Sequence, residues 1–326
     1  MNTTVEKSAI INNIKRIEKM NESILITGAN IGLGKETARQ LALKQETKKI
    51  ILFCRNQAKA EAAKKDLEAE TGKKIFEIII GDVADANSVR KAVEKIKEPI
   101  DAVILNAGGM VGKTAGKMTP SGMNALAATN ILGHVILVDE LIKRDKLKKA
   151  VLSVSAEAVP GVKMLGMKPV AMKTSSVDEF AAVLDGSYFG KNFDSVQAYG
   201  YVKYAATMWT LSMARKYPDL KFVVMSPGNT GGTNAPDSLP PAMKFMLKYL
   251  MMPVVMPLIG MVHKLEVGAK RFVDGISDER YKSGVFYASK EGKLTGDAVD
   301  QSTFFADLKN TTFQDNADKA IHRFIK

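Results

Sequence analysis

Apolar and polar positions in this chain come in blocks. A short, unbroken apolar run is followed by a stretch with helical periodicity, and the couplet repeats. SILIT at 23–27 leads through glycines into GLGKETARQLAL, and KIILFC leads into a polar helix over 56–70. KIFEIIIGDV leads into a helix over 86–97, and IDAVILNAGG precedes a helix through ALAATNILGHVILVDELI. VLSVSA follows as another strand. After a long insertion that reads as irregular, QAYGYVKYAATMWTLSMARKY is a helix and KFVVMSPG a strand. Continuous apolar runs mark strands buried on both faces, and a 3.6-residue period marks helices that cover them. The alternation predicts an α/β domain with a doubly wound parallel sheet. Upstream, Ile10, Ile14 and Ile17 form one helical stripe with Ile11 beside it. Residues 1–21 therefore read as a short amphipathic helix. It packs on the body or on a partner subunit of a homo-oligomer, or it makes peripheral membrane contact.

Composition narrows this picture. The chain has 326 residues, 46% of them apolar, which suits one large domain over 22–326. The formal charge of +12 does not argue for nucleic acid, because the lysines are interleaved with acids on helix-like faces such as KAEAAKKDLEAE. Cys54 is the only cysteine, so no disulfide forms within the chain, and the expected setting is cytoplasmic. Glu6, Lys7, Lys15, Arg16, Glu18 and Lys19 break up the N-terminus, which does not read as a signal peptide. The histidines are too scattered for a metal site.

The first candidate site is TGANIGLGKE. Gly28, Gly32 and Gly34 lie between a strand and a helix, where the backbone of Gly28, Asn30, Ile31, Gly32, Leu33 and Gly34 can approach a pyrophosphate resting on the helix N-terminus. The spacing differs from the commoner dinucleotide fingerprint. Further motifs follow in order: Asp82-Val83, Asn106-Ala107-Gly108, Asn130, Tyr199-x-x-x-Lys203 and Pro227-Gly228. This ordered set resembles the short-chain dehydrogenase/reductase superfamily over roughly residues 22–235.

The resemblance implies a single Rossmann-type domain. Asp82 and Val83 would hold the adenine ring, and Asn106 to Gly108 would line the cofactor groove. The segment after Pro227-Gly228 would clasp the nicotinamide amide. Gly232 stands where the family usually has a threonine, so Thr230 and Thr233 are the candidates for that clasp. Asn130 matches the asparagine that anchors a water in the proton relay.

Cofactor choice follows from charge. The second strand ends in LFCRN, with neutral Cys54 in the acid's place, then Arg55 and Asn56. A carboxylate there would accept ribose hydroxyls and repel a 2′-phosphate, whereas guanidinium pairs well with phosphate. NADP(H) is the expected cofactor.

Tyr199 and Lys203, four apart on a helix, share a face. An ammonium nearby favours the phenolate, and the pair can supply the proton that accompanies hydride transfer. His134, one turn beyond Asn130, reads as a packed, hydrogen-bonded imidazole. The strand VLSVSA poses a problem. The family's catalytic hydroxyl falls on Ala156. Ser155, one residue earlier, nominally faces the other way and would need a bulge to turn inward. Losing such a donor costs on the order of 3 kcal/mol of barrier.

The insertion from Glu157 to Gln197 enters at the mouth of the site. The segment FMLKYLMMPVVMPLIGMV at 245–262, within a lid over about 235–265, is apolar and rich in methionine. Lys248, Pro253 and Pro257 argue against a membrane span. An apolar small-molecule substrate is expected, with peripheral membrane contact and a core helix pair as the alternative uses of this segment. ILGHVILV, the insertion and GAKRFVDG with SGVFYAS resemble the branch containing retinol dehydrogenases and light-dependent protochlorophyllide reductases. The leading expectation is an NADP(H)-dependent oxidoreductase acting on a carbonyl or alcohol. The alternatives are a reductase of carbon–carbon double bonds and a low-turnover NADPH-binding sensor or scaffold.

Overall fold

The computed structural model describes residues 22–161, 168–191, 193–231 and 261–325. The expected N-terminal helix, most of the expected lid and Thr233 lie outside them. The first half runs β1 (Ser23–Thr27), α1 (Gly32–Ala42), β2 (Lys49–Cys54), α2 (Gln57–Thr71), β3 (Phe76–Ile80), α3 (Ala86–Glu94), β4 (Ile100–Leu105) and α4 (Ala125–Lys143). The second half runs β5 (Leu147–Val154), α5 (Val177–Asp185), α6 (Ser195–Lys216), β6 (Lys221–Met225), α7 (Leu265–Ser277), β7 (Val285–Ser289), β8 (Ala298–Asp300) and α8 (Thr311–His322). Caps fix several helix starts: the side chains of Asn56, Asp85, Ser176 and Asp194 each accept a backbone N–H from the first turn that follows.

The eight strands form one sheet in the order β3-β2-β1-β4-β5-β6-β7-β8, parallel except for the antiparallel β7–β8 pair. The switch of order lies between β1 and β4, which pair through Ile26 and Ile104. Successive side chains enter opposite cores. Leu25, Phe53, Val103, Val151, Phe222 and Phe286 face α3, α4, α5, α6 and α8. Ile26, Leu52, Ile104, Leu152, Val223 and Tyr287 face α1, α2 and α7. Both faces being covered explains the unbroken apolar runs. α4 is long and apolar enough to cross a membrane, and here it is packed largely inside the protein.

The insertion is not wholly irregular. It contains α5, whose Phe180, Val183 and Leu184 are fully buried.

Candidate active site

The predicted residues converge at the carboxyl ends of the strands, on either side of the switch. After Thr27 the chain turns through Gly28 with φ +68°, held by a bond from the Gly28 N–H to the Phe53 carbonyl at 2.8 Å. A Cβ on Gly34 would stand 2.4 Å from the Gly28 carbonyl oxygen and 2.6 Å from Asn106 Nδ2, so only glycine allows this close approach. Asn106 Nδ2 donates to the Thr27 carbonyl at 2.9 Å, and the Ala107 N–H donates to Thr27 Oγ1 at 2.9 Å.

α1 begins beneath the turn with no side-chain cap and no acid in its first turn, leaving the N–H groups and the positive helix end to the groove. Ile31 is 60% exposed there. Leu33 turns down instead, against the space beside Gly268 on α7.

Cys54 ends β2 as a buried neutral thiol. Burial pushes it up to about 11, against backbone hydrogen bonds from Ala29 and Asn30. Arg55 is exposed and forms no ion pair among the described residues. Asn56 is committed to capping α2 through its bond with the Lys59 N–H, which accounts for the residue without a ligand. Asp82 Oδ1 accepts from the Ala84 N–H at 2.9 Å, and Val83 is buried. A Cβ on Gly133 would lie 2.3 Å from the Val83 carbonyl oxygen, so α4 rests directly on this corner. Gly133 escaped the sequence reading, although its place in TNILGH was the available signal.

α4 is locally a π-helix over Ala128–Leu132. Asn130 sits in that turn, 2% exposed, with every side-chain bond internal. Its Nδ2 donates to the carbonyls of Gly109 at 2.9 Å and Leu126 at 2.8 Å, and its Oδ1 accepts from the Gly109 N–H at 3.1 Å. Gly108 packs so closely that a Cβ there would be 2.5 Å from Asn130 Oδ1 and 3.7 Å from Lys203 Nζ.

Lys203 is 3% exposed and donates to the Val154 carbonyl at 2.9 Å. Its Nζ lies 5.7 Å from the centre of the Tyr199 ring. Burial pushes Lys203 down to about 8 and Tyr199 up to about 12. Loss of solvent thus sets the direction for the phenol, opposite to the lowering expected from its ammonium neighbour.

Ser155 is not brought to this group. It is 3% exposed, and its Oγ bonds Thr207 Oγ1 at 2.9 Å inside the α6 face. Strand alternation carries on past Val154, and no bulge turns the hydroxyl inward. Ala156 is partly exposed at the strand's end.

Thr230 lies in the loop after β6. It is 4% exposed, and its hydroxyl is occupied by the Pro227 carbonyl at 3.0 Å and His263 Nε2 at 3.0 Å. His263 in turn bonds the Pro227 carbonyl at 2.6 Å and lies against Gly228. Next to this loop, the buried Arg271 donates to the Ser226 carbonyl at 2.9 Å and to Ser289 Oγ at 2.9 Å. It stands 3.5 Å from Glu157, the residue after Ala156. These ties between distant segments left no local trace in the sequence.

The family model "short chain dehydrogenase" matches residues 22–160. The bovine "Dehydrogenase/reductase SDR family member 12" is 29% identical over 65% of this chain and 62% of its own length. Human "Retinol dehydrogenase 13" is 30% identical over 60% of this chain and 54% of its own. The chain thus spans somewhat over half the length of these relatives. "Protochlorophyllide reductase, chloroplastic" from Daucus carota is 29% identical over 85% of this chain and 74% of its own. Among solved structures, L-sorbose reductase from Gluconobacter frateurii, complexed with NADPH and L-sorbose, superposes with a TM-score of 0.58 at 18% identity. It covers 84% of this chain and 97% of that one, and the likeness bears on the fold alone. The ordered motifs, the sheet that carries them and these relatives make the chain similar to the short-chain dehydrogenase/reductase superfamily.

Proposed function

We propose that the chain is an NADP(H)-dependent oxidoreductase that acts on a carbonyl or alcohol of an apolar small molecule. The observation that carries this reading is the convergence of Tyr199 and buried Lys203 with the Gly28–Gly34 cradle at one end of the sheet. A bound nicotinamide would supply or accept the hydride. The cradle fits a dinucleotide: Gly34 is kept free of side chain where the backbone closes up, and the uncapped start of α1 offers N–H groups to a pyrophosphate. Arg55 would pair with a 2′-phosphate, and buried, neutral Cys54 would not repel it.

Tyr199 carries its proton at neutral pH and would donate it to a carbonyl oxygen as hydride arrives; burial holds the phenol up at about 12, so the Lys203 ammonium has to favour the phenolate for that transfer to be efficient. Lys203, with its burial and its bond to Val154, holds its head group beside that ring. Ile31, Met110, Val111 and Val196 are exposed apolar residues near the same sheet end, in keeping with an apolar substrate.

NADPH oxidation against apolar ketones and aldehydes tests the reading. Tyr199→Phe should abolish turnover while cofactor affinity stays nearly unchanged, and a mutant that retained most of its activity would remove Tyr199 from its role. Arg55→Asp should reverse a preference for NADPH over NADH. Equal affinity of the unmutated protein for the two cofactors would sink the assignment of Arg55. A second reading, an NADPH-binding protein of low turnover, is favoured by the Ser155–Thr207 bond, which leaves Ala156 at the hydroxyl's place. Tight NADPH binding without turnover on any member of the panel would select it.

A further inference from the structure

A buried ion pair stands beside the site. Arg271 on α7 is 6% exposed, and Glu157, just past the end of β5, is 9% exposed. Arg271 Nη1 lies 3.5 Å from Glu157 Oε1 and donates to the Ser226 carbonyl at 2.9 Å. Its Nη2 donates to Ser289 Oγ at 2.9 Å and to the Gly296 carbonyl at 2.8 Å. The Ser289 hydroxyl in turn donates to Glu157 Oε1 at 3.0 Å, and the Ser289 N–H donates to the same oxygen at 3.1 Å.

Such a pair is a poor source of stability, because taking two charges out of water costs about as much as their attraction returns. What it supplies is direction. A planar guanidinium with three fixed acceptors has one orientation. Here it joins the ends of β5, β6 and β7 to the loop before β8. The β6 end is the Ser226–Gly228 turn. Ser226 Oγ accepts from the Gly228 N–H at 3.2 Å, and a Cβ on Gly228 would stand 3.0 Å from Arg271 Nη1. One turn earlier on α7, a Cβ on Gly268 would meet Thr230 Oγ1 at 2.4 Å and Leu33 Cδ2 at 3.0 Å, so the loop after β6 and the glycine cradle both close on that position. The β5 end is held a second time by Lys203, through the Val154 carbonyl.

We propose that Arg271 is a positioning residue for the nicotinamide end of the cofactor: braced by Glu157, it holds the Ser226–Gly228 turn in register with the end of β5, where Ala156 and the Lys203 contact lie. The proposal rests on the oxidoreductase reading, in which the dinucleotide runs from the cradle toward Tyr199 and passes this turn. Arg271 is buried and fully engaged, so it acts through the turn and not on the cofactor directly.

Binding to the full chain, measured by calorimetric titration, separates this role from a purely structural one. Adenosine 2′,5′-bisphosphate carries the adenosine and the 2′-phosphate of NADPH but no nicotinamide. Arg271→Met leaves Glu157 buried without its cation, and the variant should melt well below the unmutated protein. Combining it with Glu157→Gln removes both charges and keeps an oxygen that accepts from Ser289, so most of that loss should be recovered. The double variant should still bind NADPH roughly ten-fold more weakly than the unmutated protein, because the turn is no longer preorganised, with affinity for the bisphosphate changed less than about two-fold. Arg271→Lys keeps the charge but loses the planar fork, and it should show the same split between the two ligands. A double variant that regains NADPH affinity together with its melting temperature overturns the proposal, since charge compensation was then all that the pair supplied. An equal loss for the two ligands overturns it as well, since the whole groove is then damaged. If the unmutated protein binds neither ligand, the oxidoreductase reading falls and takes the proposal with it, an outcome read before any variant is made.

Discussion

At the residue scale, the end of β5 decides what the site lacks. Ser155 lies on the face that includes Val151, and it spends its hydroxyl on Thr207. Ser155→Ala should therefore act as a core change. It should cost about 1–2 kcal/mol of stability, because Thr207 is left buried without that partner, and leave kcat within about two-fold. On the proposed mechanism, Ala156→Ser would place a donor where charge grows on the reacting oxygen. It should raise kcat by about ten-fold, less than a preorganised oxyanion donor contributes. Melting curves and steady-state kinetics of the two variants read this directly. A collapse of kcat in Ser155→Ala at unchanged melting temperature would reverse the assignment. Lys203 adds a pH signature. Burial sets it near 8, below the usual lysine range, so its ammonium is lost as the pH rises through 8. If the charged form assists Tyr199, reduction should be constant below that value and fall above it in a pH–rate profile.

At the element scale, the tightest constraints are glycines where two elements touch. Gly133→Ala would drive a methyl into the Val83 backbone, 2.3 Å from its carbonyl oxygen, and α4 must then lift from the Asp82 corner. A loss of about 1–3 kcal/mol or more is expected, together with weaker NADPH binding. Gly32→Ala meets nothing within 4 Å and pays only for φ +56°, about 1–2 kcal/mol. Denaturant melts and cofactor titrations of the two separate a clash from backbone strain.

The same contrast explains what was legible beforehand. β1 to β6 and α1 to α4 stood out because strands buried on both faces are unbroken apolar runs, and the helices covering them repeat on one side. Gly28, Asn106, Asn130, Tyr199 and Lys203 could be named because each sits in a local motif. Strand alternation already turned Ser155 away from the site, but its partner Thr207, the occupation of Thr230 by His263 and the Arg271–Glu157 pair lie 33 to 114 positions away in the chain, which no local pattern records. α8 was missed for a lesser reason. Its Asn310 cap and its buried Ala317, Ala320 and Ile321 follow the ordinary helical signs.

At the scale of the whole molecule, α8 closes the sheet face that carries α4, α5 and α6. Ala317, Ala320 and Ile321 enter that core, and polar bonds surround them. Ser212 donates to Asp315 at 2.7 Å, Lys216 pairs with Asp318, and Arg323 reaches Asp178 at 2.6 Å. His322 stands between elements, with Nε2 2.9 Å from Asp139 on α4 and Nδ1 3.3 Å from Asp318 on its own helix. The Asp139 carboxylate, then that of Asp318, lift the ring to about 10.

A folded value above the ordinary 6.5 means that the charged ring favours the folded state. This contribution is complete below about 6.5, shrinks as the pH rises, and is gone once the pH has passed 10. The side chain is 39% exposed, so screening by solvent holds its worth to about 1 kcal/mol. His322→Gln keeps a donor but removes the charge. Its melting temperature should fall below that of the unmutated protein at pH 6, and the gap should close by pH 10.5. Added salt should narrow the gap at pH 6 as well, since the pairs lie near the surface. A gap that stays constant across this range would mean that the ring holds α8 by packing alone, and that the two carboxylates contribute nothing to the closure of this face.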